Sequence, residues 1–282
     1  RLTPTHKVLA FFASDGRLFF IMPMGPKTCI GTTDIQVPAP ETSVSDGDRD
    51  FVLDNVNRLL SLDKPLTKAD IISERCGVRP LASTGQTTIN DWTEISRKHA
   101  IDINVDDQHL SIFGGKLTDC INVGNEICDI VGDLGIGLNH NHQRWYGEPS
   151  SVERSRFMNE AHAMNLDSLL PKESRQPSPE PLSQRFWRRY GLNAFSLLER
   201  IKEQPNSGEL LIENAAYLRC EVELAARTEM IITLEDFLRR RSKISLVVDK
   251  QTLVNSNGLL QACQILFGDQ AQAKLDEYVA KH

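Results

Sequence analysis

The sequence predicts an α+β fold, an antiparallel sheet packed with helices and then an all-α C-terminal domain, and three observations carry that expectation. Short β-rich runs separated by turn residues occupy the first part of the chain. A helix-start signature then opens an amphipathic stretch at Ser45. Beyond residue 148 the strand signals vanish, and helical periods alternate with polar breaks such as 171–181 and 204–208.

The elements follow in order. Residues 7–13 and 17–22 are β-rich and flank Ser14-Asp15-Gly16, and a third run, 29–33, follows a Gly25-Pro26 break, so a meander is expected. Ser45 with Asp48 three residues on resembles a capping box, after which Val52, Val56, Leu59 and Leu60 share one helical face over about four turns. Residues 71–81 read as an extended segment. Residues 100–105 and 109–113 form a hairpin across Asp106-Asp107. The second hairpin strand runs directly into Gly114-Gly115-Lys116-Leu117-Thr118, and Leu117, Ile121, Gly124, Cys128 and Val131 then recur at helical spacing. A strand, two glycines and a helix N-terminus make a corner suited to an anion or a polar ring edge. Residues 217–246 read as one long helical stretch, with Arg239, Arg240 and Arg241 on a solvated face.

Composition narrows the function classes. With 282 residues, 40% apolar and 25% charged, the chain suits two domains, divided near residue 148. No apolar run reaches the roughly 18 to 20 residues that span a bilayer, and the first residues hold no signal-peptide core, so a soluble cytoplasmic protein is expected. The net charge of -6 argues against sequence-independent nucleic-acid binding. Cys29, Cys76, Cys120, Cys128, Cys220 and Cys263 lack zinc-like spacing and read as reduced thiols, and His140 with His142 lacks a third nearby ligand, so no metal is expected.

Three cations stand in turn-like or strand-end segments: Arg79 in G-V-R-P-L, Arg97 in S-R-K-H and Lys116 in F-G-G-K-L-T. Each could pair with a core carboxylate. In an acidic chain their grouping on sheet ends favours an anionic ligand, and the free N–H groups of the helix behind the glycines strengthen that reading at Lys116.

At these residues the sequence resembles a family. D-G-R-L-F-F-I-M-P, I-G-T-T-D, G-V-R-P-L, S-R-K-H and I-F-G-G-K-L-T occur in the order and approximate spacing of the FAD-dependent glycerol-3-phosphate dehydrogenases and oxidases of the D-amino-acid-oxidase-like superfamily. Y-L-R-C-E-V-E-L-A-A-R-T and T-L-E-D-F-L-R-R-R-S resemble that family's C-terminal helical domain. The chain departs after the lysine, reading K-L-T-D-C where K-L-T-T-Y-R is common, and no G-x-G-x-x-G follows a strand.

The resemblance implies that residues 1–147 are a substrate-binding portion plus the returning strand and helix of a flavin domain, that 148–282 are the helical domain, and that the chain is the back half of a longer enzyme. It implies that Arg79, Arg97, Lys116 and His6 serve catalysis on glycerol 3-phosphate, with dihydroxyacetone phosphate as product. Gly114, Gly115, Lys116, Leu117 and Thr118 are implied to hold FAD, with quinone as electron acceptor. The fragment alone is expected to be inactive, and the resemblance leaves room for peripheral contact with the inner membrane face and for a homodimer. Two other readings stay open: a related flavoprotein oxidase acting on an amino or hydroxy acid, and a non-catalytic binding or assembly module in which Arg239 to Arg241 contact a partner or anionic lipid.

Overall fold

The computed structural model describes residues 2–3, 5, 7–78, 98–139, 149–170, 180–212 and 215–281. Its architecture is α+β, with small antiparallel sheets first and a predominantly helical C-terminal part. The chain divides into two compact units, one of residues 1–33, 44–75 and 148–282, the other of 34–43 and 76–147.

In the first unit, β1 (Leu9–Phe12), β2 (Leu18–Met24) and β3 (Lys27–Gly31) form the expected meander, with Leu9 opposite Ile21 and Ile21 opposite Ile30. Gly16, at φ 83, supplies the left-handed turn between β1 and β2. Pro23 sits in the central strand, but beyond the end of β1, where its missing N–H breaks no ladder bond. Helix α1 (Asp46–Leu59) begins at the capping box: Ser45 Oγ accepts from Asp48 N–H at 3.1 Å, and the Asp48 carboxylate accepts from Ser45 N–H at 2.9 Å. Alternation on β2 sends Phe19 and Ile21 inward, where they meet Val56 of α1, all three fully buried. Buried Asn55 fixes the entry turn by accepting from Ser14 N–H at 2.8 Å and donating to the Phe51 carbonyl at 2.8 Å.

The rest of this unit is helical: α3 (Ser151–Ala163), α4 (Leu182–Tyr190), α5 (Ala194–Glu203), α6 (Arg219–Thr228), α7 (Lys250–Val254), α8 (Asn257–Phe267) and α9 (Ala271–Lys281). Phe157, Phe186, Leu197 and Leu198 centre one cluster on α3, α4 and α5, and Leu238, Leu259, Ala262 and Cys263 centre another. Two sequence expectations are corrected here. Strands β6 (Leu210–Ile212) and β7 (Tyr217–Leu218) form a short antiparallel ladder where no strand was expected, because runs of three and two buried residues are too short to display alternation. The stretch 217–246 is not one helix. It breaks after α6 at Met230 (φ 46), resumes as a π-helical turn over Asp236–Arg241, and breaks again at Lys243 (φ 62). The interleaved charges kept a helical look across the turn because the break residues are not glycine or proline.

The second unit contains the hairpin β4 (Ala100–Asn104) and β5 (His109–Phe113), paired Ala100 to Phe113 through Asn104 to His109, and helix α2 (Cys120–Asp133). Among its described residues no apolar side chain is buried, and Phe113, Ile112, Ile121 and Leu117 are all exposed. No helix among the described residues is long and apolar enough to cross a membrane.

Candidate functional site

The glycine corner forms where the sequence predicts it. Strand β5 ends at Phe113, Gly114 and Gly115 take φ 66 and 87, and Lys116 leads a short 3-10 turn, Leu117–Asp119, that feeds α2. Both glycine conformations lie in the left-handed region that other residues enter only at a cost. The Asp119 N–H donates to the Lys116 carbonyl at 2.9 Å, whereas the leading N–H groups of the turn have no intrahelical acceptor. Lys116, Leu117 and Thr118 are exposed, Leu117 at 92%, so the corner faces outward from its unit. Among the described residues no carboxylate comes within ion-pair distance of the Lys116 ammonium.

Arg79, Arg97 and His6 lie outside the described residues, as do His140 and His142. Of the candidate residues, Gly114, Gly115, Lys116, Leu117 and Thr118 are among those described. No cluster of three metal-ligating side chains exists among the described residues.

Sequence reasoning missed His99, the buried residue behind this corner. Its side chain is 5% exposed, and its Nε2 donates to Glu126 Oε2 of α2 at 2.7 Å. Among the described residues its Nδ1 has no hydrogen-bond partner, and it lies 3.8 Å from Asp119 Oδ2. A Cβ placed at Gly115 would approach His99 Cβ to 3.0 Å. Gly115 is thus required twice, by its φ and by the Cβ and backbone of His99 packed against it. The available signal was the placement of His99 at the head of β4, within S-R-K-H; its contacts with Glu126 and Asp119 depend on tertiary structure.

In the helical part, the Glu221 carboxylate is fully buried and accepts from Arg185 Nη2 at 2.6 Å, Tyr190 Oη at 2.9 Å, Leu218 N–H at 3.0 Å and Arg189 Nη1 at 3.2 Å. Its four donors satisfy a charge that burial alone makes costly, and one of them caps α6. Burial, with Glu221 second, pushes the Tyr190 hydroxyl well above its ordinary pKa, and burial first of all raises Tyr217 to about 12. This network satisfies the buried carboxylate and ties α4 to α6. Arg240 pairs with Asp236 at 3.0 Å and Glu235 at 3.6 Å, and Arg241 lies 3.9 Å from Glu229, so the expected solvated arginine face is largely ion-paired.

Comparison with known proteins agrees with this arrangement of elements. Residues 159–268 match the family model described as the C-terminal domain of alpha-glycerophosphate oxidase. The chain is 27% identical over 274 residues to a glycerol-3-phosphate dehydrogenase of Synechocystis sp., covering 95% of this chain and 47% of that protein. It is 27% identical over 251 residues to the aerobic glycerol-3-phosphate dehydrogenase of Bacillus subtilis, covering 85% and 43%, and 26% identical over 237 residues to the mitochondrial glycerol-3-phosphate dehydrogenase of Mus musculus, covering 82% and 31%. The chain spans about half, or less, of the length of these relatives. The chain is thus similar to glycerol-3-phosphate dehydrogenases over most of its length and, over residues 159–268, to the C-terminal domain of alpha-glycerophosphate oxidase.

Proposed function

We propose that the chain is the C-terminal portion of a flavin-dependent enzyme that oxidises sn-glycerol 3-phosphate at C2 to dihydroxyacetone phosphate and passes electrons on to quinone. The observation that carries this reading is the strand, the left-handed glycine pair and the helix N-terminus with Lys116 at its mouth, in a chain similar to glycerol-3-phosphate dehydrogenases over 95% of its length. In this reading residues 1–147 supply the substrate-binding portion and 148–282 the helical domain.

The corner fits a flavin on its own chemistry: the N–H groups heading the Leu117 turn are free of intrahelical acceptors, and Gly114 and Gly115 permit close approach of a ring edge. Gly114, Gly115, Lys116, Leu117 and Thr118 hold FAD in this reading, and bound FAD supplies the hydride acceptor. The remaining tasks fall to side chains. Arg79 and Arg97 grip the phosphate through planar forks, and Lys116 stabilises the alkoxide charge that develops at C2. His6 is the candidate acceptor of the C2 hydroxyl proton in this reading.

In the intact enzyme, Arg79→Ala and Arg97→Ala each lower kcat/KM for glycerol 3-phosphate by an amount equivalent to about 2 to 4 kcal/mol. Lys116→Met slows flavin reduction more than it weakens substrate binding, because its main partner is charge that appears during the reaction. Stopped-flow reduction measures this directly, and an unchanged limiting rate removes Lys116 from the chemistry. The 282-residue chain by itself, with no G-x-G-x-x-G to hold a pyrophosphate, takes up FAD weakly and does not turn over. Fluorescence titration with FAD checks this, and stoichiometric uptake with dye reduction refutes it.

A further inference from the structure

The three consecutive arginines of the π-helical turn differ in one respect. Arg240 and Arg241 have carboxylates within 4 Å, whereas Arg239 has none among the described residues. Half-buried Arg239 donates Nη2 to the Glu74 carbonyl at 2.8 Å. A guanidinium carries five donors, and one neutral acceptor leaves both its charge and most of its hydrogen-bonding capacity unused. Such a cation, partly withdrawn from water, is costly without a counter-ion.

Arg239 lines a cavity of about 130 Å³ together with Ser73, Glu235, Ser245, Lys250 and Tyr278. Glu235 is the lining carboxylate, and it is already engaged by Lys281 at 2.8 Å and Arg240 at 3.6 Å, neither of which lines the cavity. Lys250 makes only a 3.4 Å donation to the Val279 carbonyl among the described residues. With the Glu235 carboxylate met by Lys281 and Arg240, the cations that line the cavity are Arg239 and Lys250, and the Ser73 hydroxyl has no partner among the described residues. The volume is several times the roughly 30 Å³ a water occupies in the liquid, which leaves room for one tetrahedral oxyanion and its residual hydration.

We propose that this cavity binds a small oxyanion of phosphate type, held between the Arg239 fork and the Lys250 ammonium with Ser73 as a third donor. Ser73 belongs to the segment that follows α1, and Arg239 and Lys250 belong to the helical part of the same unit, so the anion ties the two together. Binding to the folded state alone stabilises that unit by mass action.

The test is calorimetric titration of the 282-residue chain with inorganic phosphate, at an ionic strength held constant with chloride. One saturable site is expected, weakened about tenfold or more by Lys250→Met, an exposed position whose replacement leaves the core intact, and also by Arg239→Lys, which keeps the charge but loses the fork. The Arg79→Ala, Arg97→Ala double variant, which removes the two cations assigned to the substrate's phosphate, leaves it unchanged. Absence of saturable binding, or equal affinity in wild type and Lys250→Met, overturns the proposal. Binding lost in the Arg79→Ala, Arg97→Ala double variant but retained in Lys250→Met also overturns it, and assigns the phosphate to the substrate site instead. Titration with glycerol 3-phosphate in the Arg79→Ala, Arg97→Ala background separates free phosphate from the substrate's own phosphate: an affinity equal to that for phosphate supports a cavity that reads only the phosphate group, and no binding of phosphate in that background overturns the proposal.

Discussion

His99 illustrates how much one buried polar side chain can organise. Its Nε2 bond to Glu126 ties the head of β4 to α2, and its Cβ fills the space that a side chain at Gly115 would need. We expect His99→Ala to remove a charge-assisted hydrogen bond and leave a void beneath the Gly114–Gly115 turn, costing the second unit about 2 kcal/mol. Hydrogen exchange over residues 114–124 is the measurement. Rates unchanged from wild type mean that the imidazole does not hold the corner. Gly115→Ala should have a similar effect, since it meets both a left-handed φ of 87 and the Cβ and backbone of His99. The cysteines give a second test at this scale. Burial raises Cys263 to about 11 and Cys220 further, while Cys76 and Cys120 are exposed. Thiol titration at neutral pH should label Cys76 and Cys120 quickly and spare Cys220 and Cys263 until denaturant is added. The sequence made Lys116 visible because two glycines precede it, and it hid His99 because nothing local distinguishes a clamping imidazole from a solvated one.

At the scale of elements, helix boundaries were legible where the chemistry is local. Ser45 and Asp48 announce α1, and the structure forms both bonds of the box. Ser45→Ala should cost about 1 kcal/mol of stability at neutral pH. The Ser45 hydroxyl, first among several causes, holds the Asp48 carboxyl below its ordinary 3.8. A depressed folded pKa stabilises fully above the unfolded value and is lost as pH falls through the folded one. The gap between wild type and Ser45→Ala should therefore narrow below about pH 3.8, and a gap that stays constant to lower pH shows that ionised Asp48 is not the partner that matters. The β6 to α8 contact was not legible. An added Cβ at Gly258 would fall inside the space of the Leu211 carbonyl, so Gly258→Ala should lower the Tm by several degrees, equivalent to about 1 to 3 kcal/mol of overpacking. An unchanged Tm shows that α8 can shift away from β6 without cost.

For the molecule as a whole, the two units differ in how they are held. The first has three clusters of buried apolar side chains, and its Glu221 network is satisfied by four donors. Removing that carboxylate with Glu221→Ala strands buried Arg185 and should cost about 3 to 5 kcal/mol, read as a lowered denaturation midpoint. The second unit buries no apolar side chain among its described residues. Its amides, in β4, β5 and α2, should exchange faster than those of α5, α6 and α8, because local opening there exposes little additional apolar surface. Equal protection in both sets contradicts this.

The sequence by itself determined the α+β order of elements, the meander, the start of α1, the hairpin across Asp106-Asp107 and the glycine corner ahead of Lys116. Each of these rests on turn geometry, capping or periodicity within a few residues. Tertiary structure alone decided that His99 lies behind the corner, that Glu221 gathers two arginines and a tyrosine, and that Arg239 opens onto a cavity shared with Ser73 and Lys250. Those partners stand 27, 31 to 36 and 166 residues apart in the chain for His99–Glu126, Glu221 with Arg185, Arg189 and Tyr190, and Ser73–Arg239. Which charges meet across such separations is set by which apolar faces pack together, and local spacing carries no record of that.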